Sequence, residues 1–281
     1  MDQIVTIVGA GTMGHGIAQV CAQAGYRARL CDVDQGALDR GLEGIRKSLD
    51  KLVSKDKLTA EAAAAALTNI ERATELRAGV ADASIVVEAV PERMDLKKKI
   101  FADLERFAPA TALLGTNTSS LSVSEIASVT ASAERVVGLH FFNPVPVMEL
   151  VEIVRGEGTS DATVNRARAF AERIGKRSIV VKDAPGFATS RLGVILGAEA
   201  IRMLEAGVAS AEDIDTAMEL GYKHPIGPLK LTDLVGLDVR LAILEHLHRE
   251  IGEQFKPPEL LRKLVAAGKL GRKTGEGFYK Y

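Results

Sequence analysis

The hexapeptide Gly9-Ala10-Gly11-Thr12-Met13-Gly14 limits the possible folds of this chain more than any other stretch. It follows an apolar, β-branched run, Gln3–Val8, and opens a helical pattern, Gly14–Ala24. A strand, a G-x-G-x-x-G turn and a helix in that order form a phosphate cradle. The first glycine permits a tight turn, the second lets backbone approach a pyrophosphate, and the third lets helix and strand pack closely. The helix N-terminus adds free N–H groups and the positive end of a dipole. A second strand, Arg27–Cys31, leads into Asp32, eighteen residues after Gly14. A carboxylate there suits the hydroxyls of an adenosine ribose and repels a 2′-phosphate, which favours NAD over NADP. Arg27 and Arg29 precede Asp32 on the strand and do not read as 2′-phosphate ligands.

The alternation continues. Helical patterns cover Asp34–Lys57, Ala60–Leu67 and Leu96–Phe107, with strand runs at Ala83–Val90 and Ala112–Gly115. Two runs around His140, a helix over Ala162–Ile174 and a strand over Ser178–Val181 complete the series. This order predicts an α/β domain with a doubly wound, mostly parallel sheet and helices on both faces. The pattern breaks at Asp183-Ala184-Pro185-Gly186-Phe187. Beyond it every segment reads as helix: Thr189–Ala206, Ser210–Leu220, Leu231–Glu250 and Pro258–Ala267. Two domains are expected, residues 1–184 and an all-α domain of residues 185–281.

Composition excludes several classes. With 47% hydrophobic and 26% charged residues the chain is of ordinary globular type, and a net charge of −1 gives no basic field for nucleic acid or a membrane surface. No stretch approaches the length of a membrane span. The first strand begins so near Met1 that no signal or transit peptide is expected, and the chain reads as cytoplasmic. Cys21 and Cys31 read as small buried side chains of a reducing compartment rather than a disulfide or metal pair. His15, His224, His246 and His248 show no metal-ligand spacing with cysteine or acid, so no metal is expected.

His140 ends the run Arg135–His140, a proline-punctuated turn follows (Phe141-Phe142-Asn143-Pro144-Val145-Pro146), and a second run spans Val147–Val154. A histidine at a strand end suits removal of a hydroxyl proton, because its pKa lies near working pH. A carboxylate on its far nitrogen would hold the tautomer and stabilise the imidazolium. Glu149 and Glu152 compete for that role, since period-2 alternation places them on opposite faces of one strand. The plain alternative is a satisfied core histidine. Asn117-Thr118-Ser119-Ser120 follows a strand run, where open α/β sheets bind ligands. By spacing alone, its serines read better as N-caps of a helix over Leu121–Ala127.

Taken together, these stretches resemble the 3-hydroxyacyl-CoA dehydrogenase family, especially its short bacterial members that act on 3-hydroxybutyryl-CoA. The resemblance runs through Val8–Gly14, Val87–Glu92, Thr116–Leu121, Gly138–Glu152, Asp183–Phe187, Gly227–Leu229 and Gly271–Tyr279, nearly the whole chain in order. It implies a Rossmann-like NAD domain, a helical substrate and dimerisation domain, and catalysis in the cleft between them. His140 is then the general base and Glu152 its partner, and Ser119 binds the substrate's 3-oxygen, against the capping reading. Beside Gly9, Gly11, Thr12, Met13, Gly14 and Asp32 of the cradle, and Asn117 at a strand end, the resemblance puts Glu92, Lys97, Ser119, Asn143 and Lys273 at the NAD site. It puts Ser48 and Lys55 at the coenzyme A site, where Arg46, Lys47, Lys51, Lys55 and Lys57 form a basic stripe. One position departs: where the family carries an asparagine three residues after the Pro-Gly-Phe phenylalanine, this chain has Ser190. Serine there still offers a hydrogen bond to a substrate carbonyl. The expected partners are an acyl-CoA and a second copy of the chain, with neither nucleic acid nor membrane. Two other readings compete: a non-catalytic NAD- or CoA-binding relative, and a dehydrogenase of the same fold acting on another acid.

Overall fold

The structure, a computed structural model, describes residues 3–281. Contacts within the chain divide it into two compact units, Met1–Ala184 and Pro185–Tyr281.

In the N-terminal unit, β1 (Ile4–Val8), β2 (Arg27–Cys31) and β3 (Ile70–Ala73) form one half of the sheet. The other half is β4 (Ile85–Glu88), β5 (Leu113–Thr116), β6 (Val136–Phe141), β7 (Leu150–Arg155) and β8 (Arg177–Lys182). The sheet order is β3-β2-β1-β4-β5-β6-β7-β8, and every pairing is parallel except β6 with β7. The chain winds outward from β1 to β3 and returns to β4, so the sheet reverses direction between β1 and β4. A crevice opens at such a point, beyond the strands' carboxyl ends. β1 and β4 are buried throughout, as a central parallel strand covered on both faces must be.

Among the described residues, the strands are connected by α1 (Thr12–Gln23), α2 (Gln35–Val53), α3 (Ala60–Thr68), α4 (Leu76–Val80), α5 (Met94–Phe107), α6 (Val123–Ala127) and α7 (Asp161–Arg173). Ile17 and Val20 of α1 and Leu38, Ile45 and Leu49 of α2 join Ile7, Leu30 and Val87 in one core. Each such buried aliphatic side chain contributes about 1.5–3 kcal/mol. The helix expected over Asp34–Lys57 stops at Val53, because Asp56 takes a left-handed φ of 53° and Lys57 N–H turns back to the Leu52 carbonyl. β3 and α4 went unread in the sequence. Ile70-Glu71-Arg72-Ala73 is a short, charged strand lacking an apolar run, and its pairing with β2 is what makes it a strand.

The C-terminal unit consists of α8 (Thr189–Glu205), α9 (Ala211–Thr216), α10 (Pro228–Val235), α11 (Leu237–Glu250) and α12 (Glu259–Ala266) around its own core of Val194, Ile201, Leu229, Leu244 and Leu261. The single helix expected over Leu231–Glu250 is two. Gly236 breaks it with a φ of 105°, and α10 starts earlier, at Pro228, a residue suited to a first helical turn. After α9 the chain continues as a π turn, Ala217–Gly221.

Candidate active site

The glycine turn fits a dinucleotide for steric reasons. Gly9 has a φ of 106°, and a Cβ on it would meet the Ala89 carbonyl oxygen at 2.7 Å. A Cβ on Gly14 would lie 1.8 Å from the Gly9 oxygen. Both positions therefore exclude side chains so that the loops after β1 and β4 and the start of α1 can close together. A Cβ on Gly11 would meet nothing within 4 Å, so this edge of the turn is open. Gly11 caps α1 without a side-chain hydrogen bond, and the first turn holds no acid. Backbone donors and a positive dipole end face the opening, which is the environment a pyrophosphate requires.

Asp32 follows β2 directly. Its Oδ2 accepts from Ala10 N–H at 2.8 Å and its Oδ1 from Asp34 N–H at 3.0 Å, so the backbone orients the carboxylate. A cavity of about 720 Å³ is lined by Gly11, Thr12, Met13, Asp32, Val33 and Pro91, among others. Its size and open mouth suit the adenosine and pyrophosphate parts of NAD.

His140 is the penultimate residue of β6, and Glu152 stands directly opposite it on β7. Residues facing each other across antiparallel strands share a face, and Nδ1 of His140 lies 2.7 Å from Oε2 of Glu152. Both side chains are buried. A carboxylate only accepts, so this contact places the ring proton on Nδ1 and leaves Nε2 as the basic nitrogen. Glu149 is removed as a competitor, because β7 begins at Leu150 and Glu149 lies exposed before it. The turn after β6 contains a cis Asn143–Pro144 bond, and Asn143 is exposed on it. Nζ of Lys176 donates to the carbonyls of Val145 and Met148, both at 2.7 Å, and so staples the turn. Burial lowers the Lys176 pKa, with Glu149 acting weakly against this. Val145 also packs on α1 at Gly16, where a Cβ would lie 3.0 Å from it. The histidine turn and the phosphate cradle thus rest against one another.

Asn117 bridges two strand ends: its N–H donates to the Glu88 carbonyl at 2.7 Å and its Oδ1 accepts from Phe141 N–H at 2.9 Å. The next residues are gathered by Glu92. Its Oε1 accepts from the Thr118 hydroxyl at 2.6 Å, Ser119 N–H at 2.9 Å and Ser120 N–H at 3.2 Å. Ser119 is exposed on this loop. Its expected role as an N-cap is not observed. Ser122 caps α6, accepting from Glu125 N–H at 3.1 Å, because the helix begins at Val123. Lys97, which the resemblance puts at the NAD site, is completely buried. Lys97 Nζ is held by Glu88 Oε1 at 2.7 Å and Glu92 Oε2 at 3.4 Å. Glu88 and Thr116 belong to this network and were not singled out from the sequence. A buried acid directly ending an apolar strand run was the available signal.

Ser48 lies half-buried on α2 and Lys55 is exposed just beyond its end, with Arg46, Lys47 and Lys51 exposed on the same helix. In the C-terminal unit, Ser190 occupies the first turn of α8, partly exposed. Lys273 pairs with both oxygens of Asp238, at 2.5 and 2.7 Å.

Residues 4–184 match the pattern described as "3-hydroxyacyl-CoA dehydrogenase, NAD binding domain", and residues 186–281 match "3-hydroxyacyl-CoA dehydrogenase, C-terminal domain". A probable 3-hydroxybutyryl-CoA dehydrogenase of Bacillus subtilis is 44% identical over 278 residues, covering 99% of this chain and 96% of that protein. The mitochondrial hydroxyacyl-coenzyme A dehydrogenase of Sus scrofa is 42% identical over 284 residues, covering 99% of this chain and 90% of that protein. Among solved structures, (S)-3-hydroxybutyryl-CoA dehydrogenase PaaH1 from Ralstonia eutropha superposes with a TM-score of 0.96 at 44% identity, covering 100% of this chain and 99% of that one.

Proposed function

The chain belongs to the 3-hydroxyacyl-CoA dehydrogenase family of NAD-dependent oxidoreductases, and from that premise we propose that it interconverts (3S)-3-hydroxybutyryl-CoA and acetoacetyl-CoA. The observation that carries the reading is the His140–Glu152 pair at 2.7 Å, in the same unit as an intact dinucleotide cradle. NAD supplies the acceptor for the hydride that leaves C3. Nε2 of His140 takes the proton of the 3-hydroxyl as that hydride departs. Glu152, on Nδ1, stabilises the resulting imidazolium and holds the ring. The Ser119 hydroxyl donates to the 3-oxygen, and Ser190 donates to a substrate carbonyl where relatives present asparagine. Gly9, Gly11, Thr12, Met13 and Gly14 hold the pyrophosphate, and Asp32 holds the adenosine ribose. Glu92, Lys97, Asn117, Ser119, Asn143 and Lys273 complete the cofactor contacts, and Ser48 and Lys55 meet coenzyme A.

We assign residues 1–184 to NAD binding and residues 185–281 to substrate binding and dimerisation. Exposed Leu192, Leu234, Val235 and Val239 on α8, α10 and α11 support a homodimer formed through the C-terminal unit. Sedimentation of the purified chain as a monomer would overturn that part. No helix among the described residues is long and apolar enough to cross a membrane. The two buried, free cysteines support a place in the cytoplasm.

The test is loss of NADH absorbance on adding acetoacetyl-CoA. His140→Gln lowers kcat by about 10²–10⁴. Absence of turnover in the unmodified protein, at the same level as that variant, refutes the reading.

A further inference from the structure

Arg240 of α11, in the C-terminal unit, is only 7% exposed. A guanidinium stays charged at neutral pH even so. Taking it out of water is costly unless an anion repays the loss. Among the described residues no carboxylate forms an ion pair with it, and its Nε is buried without a hydrogen-bond partner. The acids that flank it on α11 are engaged elsewhere, Asp238 by Lys273 and Glu245 by Arg262. The buried acids Asp215 and Asp233 are met by backbone amides and tyrosine hydroxyls. The charge is in place, and the unit supplies nothing to neutralise it.

The position of the head group says which anion is missing. Nη1 faces Gly193 of α8, where a Cβ would lie only 3.3 Å away. Glycine is a poor residue for the interior of a helix, and any longer side chain at this point would compete with the guanidinium for the same space. Ser190 stands three residues earlier on α8. Residues at that spacing are neighbours on one face of a helix, about 4.5 Å apart along its axis. The unpaired cation therefore borders the stretch of α8 that carries Ser190.

We propose that Arg240 binds a carboxylate at the far end of the acyl chain, so that this enzyme takes 3-hydroxyacyl-CoA substrates whose chain ends in an acid. The proposal rests on the dehydrogenase reading and on Ser190 as the ligand of a substrate carbonyl. A guanidinium presents a planar fork of donors that fits a carboxylate with two parallel hydrogen bonds. The phosphates of coenzyme A are assigned to the basic residues of α2 and Lys55, so an anion beside Ser190 belongs to the acyl group. A butyryl chain ends in a methyl group and leaves the guanidinium unmet. A longer chain ending in a carboxylate spans the turn between Ser190 and Gly193 and meets it.

Calorimetric titration with adipyl-CoA and hexanoyl-CoA tests this without turnover, since the two esters have equal length and differ only at the chain end. The unmodified protein is expected to bind adipyl-CoA about ten- to a hundred-fold more tightly. Equal binding, or a preference for hexanoyl-CoA, overturns the proposal. Arg240→Met should abolish the preference, and so should Gly193→Leu, which fills the space and keeps the charge. A preference that survives in both variants overturns the assignment to Arg240. If Arg240→Met turns a dimer into a monomer in sedimentation and leaves the preference intact, the missing anion belongs to a second copy of the chain and the proposal fails. In steady-state assays Arg240→Met is expected to lower kcat/KM for 3-oxoadipyl-CoA by about ten- to a hundred-fold and to leave that for acetoacetyl-CoA within about two-fold. Turnover of acetoacetyl-CoA with no gain for 3-oxoadipyl-CoA over 3-oxohexanoyl-CoA refutes the acid-ended substrate and leaves the dehydrogenase reading standing. If none of these esters oxidises NADH, the dehydrogenase reading falls by itself, and the titration still decides whether Arg240 holds a carboxylate.

Discussion

Lys97 in the N-terminal unit and Arg240 in the C-terminal unit are both buried cations, and their surroundings are opposite. Lys97 has two carboxylates within 3.4 Å. Arg240, on α11, is in no ion pair among the described residues, and its side-chain Nε is buried without a hydrogen-bond partner. Burial lowers its pKa to about 10. Room for its head group comes from Gly193 on α8, where a Cβ would lie 3.3 Å from Nη1. The buried anions of the C-terminal unit are served by neutral donors instead. Asp215 accepts from Leu229 N–H at 2.8 Å, Lys230 N–H at 3.0 Å and the Tyr279 hydroxyl at 2.7 Å. Asp233 accepts from the amides of Phe278 and Tyr279, both at 2.9 Å, and from the Tyr281 hydroxyl at 3.0 Å. Burial and the hydrogen bond to Asp215 push the Tyr279 pKa up, which keeps that hydroxyl protonated as a donor. The lesson concerns what a deletion leaves behind. Removing Lys97 strands two carboxylates, whereas removing Arg240 strands no counter-charge.

The largest effect that follows is on Lys97→Met, which is expected to cost about 3–5 kcal/mol in urea unfolding, because it breaks a buried pair from one side. A cost below about 1 kcal/mol would erase the contrast. Next comes Asp215→Asn, expected to cost about 1–3 kcal/mol by leaving a buried backbone or tyrosine donor poorly matched. The same denaturation midpoint reads it. Arg240→Met should change stability by less than about 1 kcal/mol, or raise it, since a buried charge is exchanged for a chain of similar volume. A loss as large as that of Lys97→Met would show that Arg240 has a partner the isolated chain does not supply.

The smallest effect at neutral pH is that of Glu92, and it appears only in acid. Its folded pKa lies below its unfolded value, which is about 4.3. Its contribution is therefore complete above the unfolded value and is lost as pH falls through the lower, folded one. Exchange at Ser119 and Ser120, corrected for the intrinsic pH dependence of exchange, should stay flat down to about pH 5 and rise below about pH 4. A rise already near neutrality would separate the loop from Glu92.

Much of the fold could be read from the chain alone, because its determinants are local. The cradle depends on Gly9 and Gly14, positions where a Cβ would strike backbone only a few ångströms away. The strand β2 falls where the run Arg27–Cys31 predicts it. The site residues were less legible, since they depend on pairing and burial between distant segments. Strand periodicity kept Glu149 and Glu152 as alternatives. The antiparallel register between β6 and β7 chose Glu152, by starting β7 at Leu150. By spacing alone Ser119 reads as a cap and only the resemblance argues otherwise; the helix start at Val123 gives the capping task to Ser122.

The sequence by itself determined most of the order of strands and helices, the glycine turn, Asp32 and the histidine at a strand end. Periodicity and steric exclusion act over a few residues, so neighbours along the chain are enough to express them. Tertiary structure alone decided that Ile70–Ala73 is a strand, that the β6–β7 register brings Glu152 within 2.7 Å of His140, and that Lys97 is buried between Glu88 and Glu92. Each of these depends on which groups remain in water, and only the assembled sheet removes them from it.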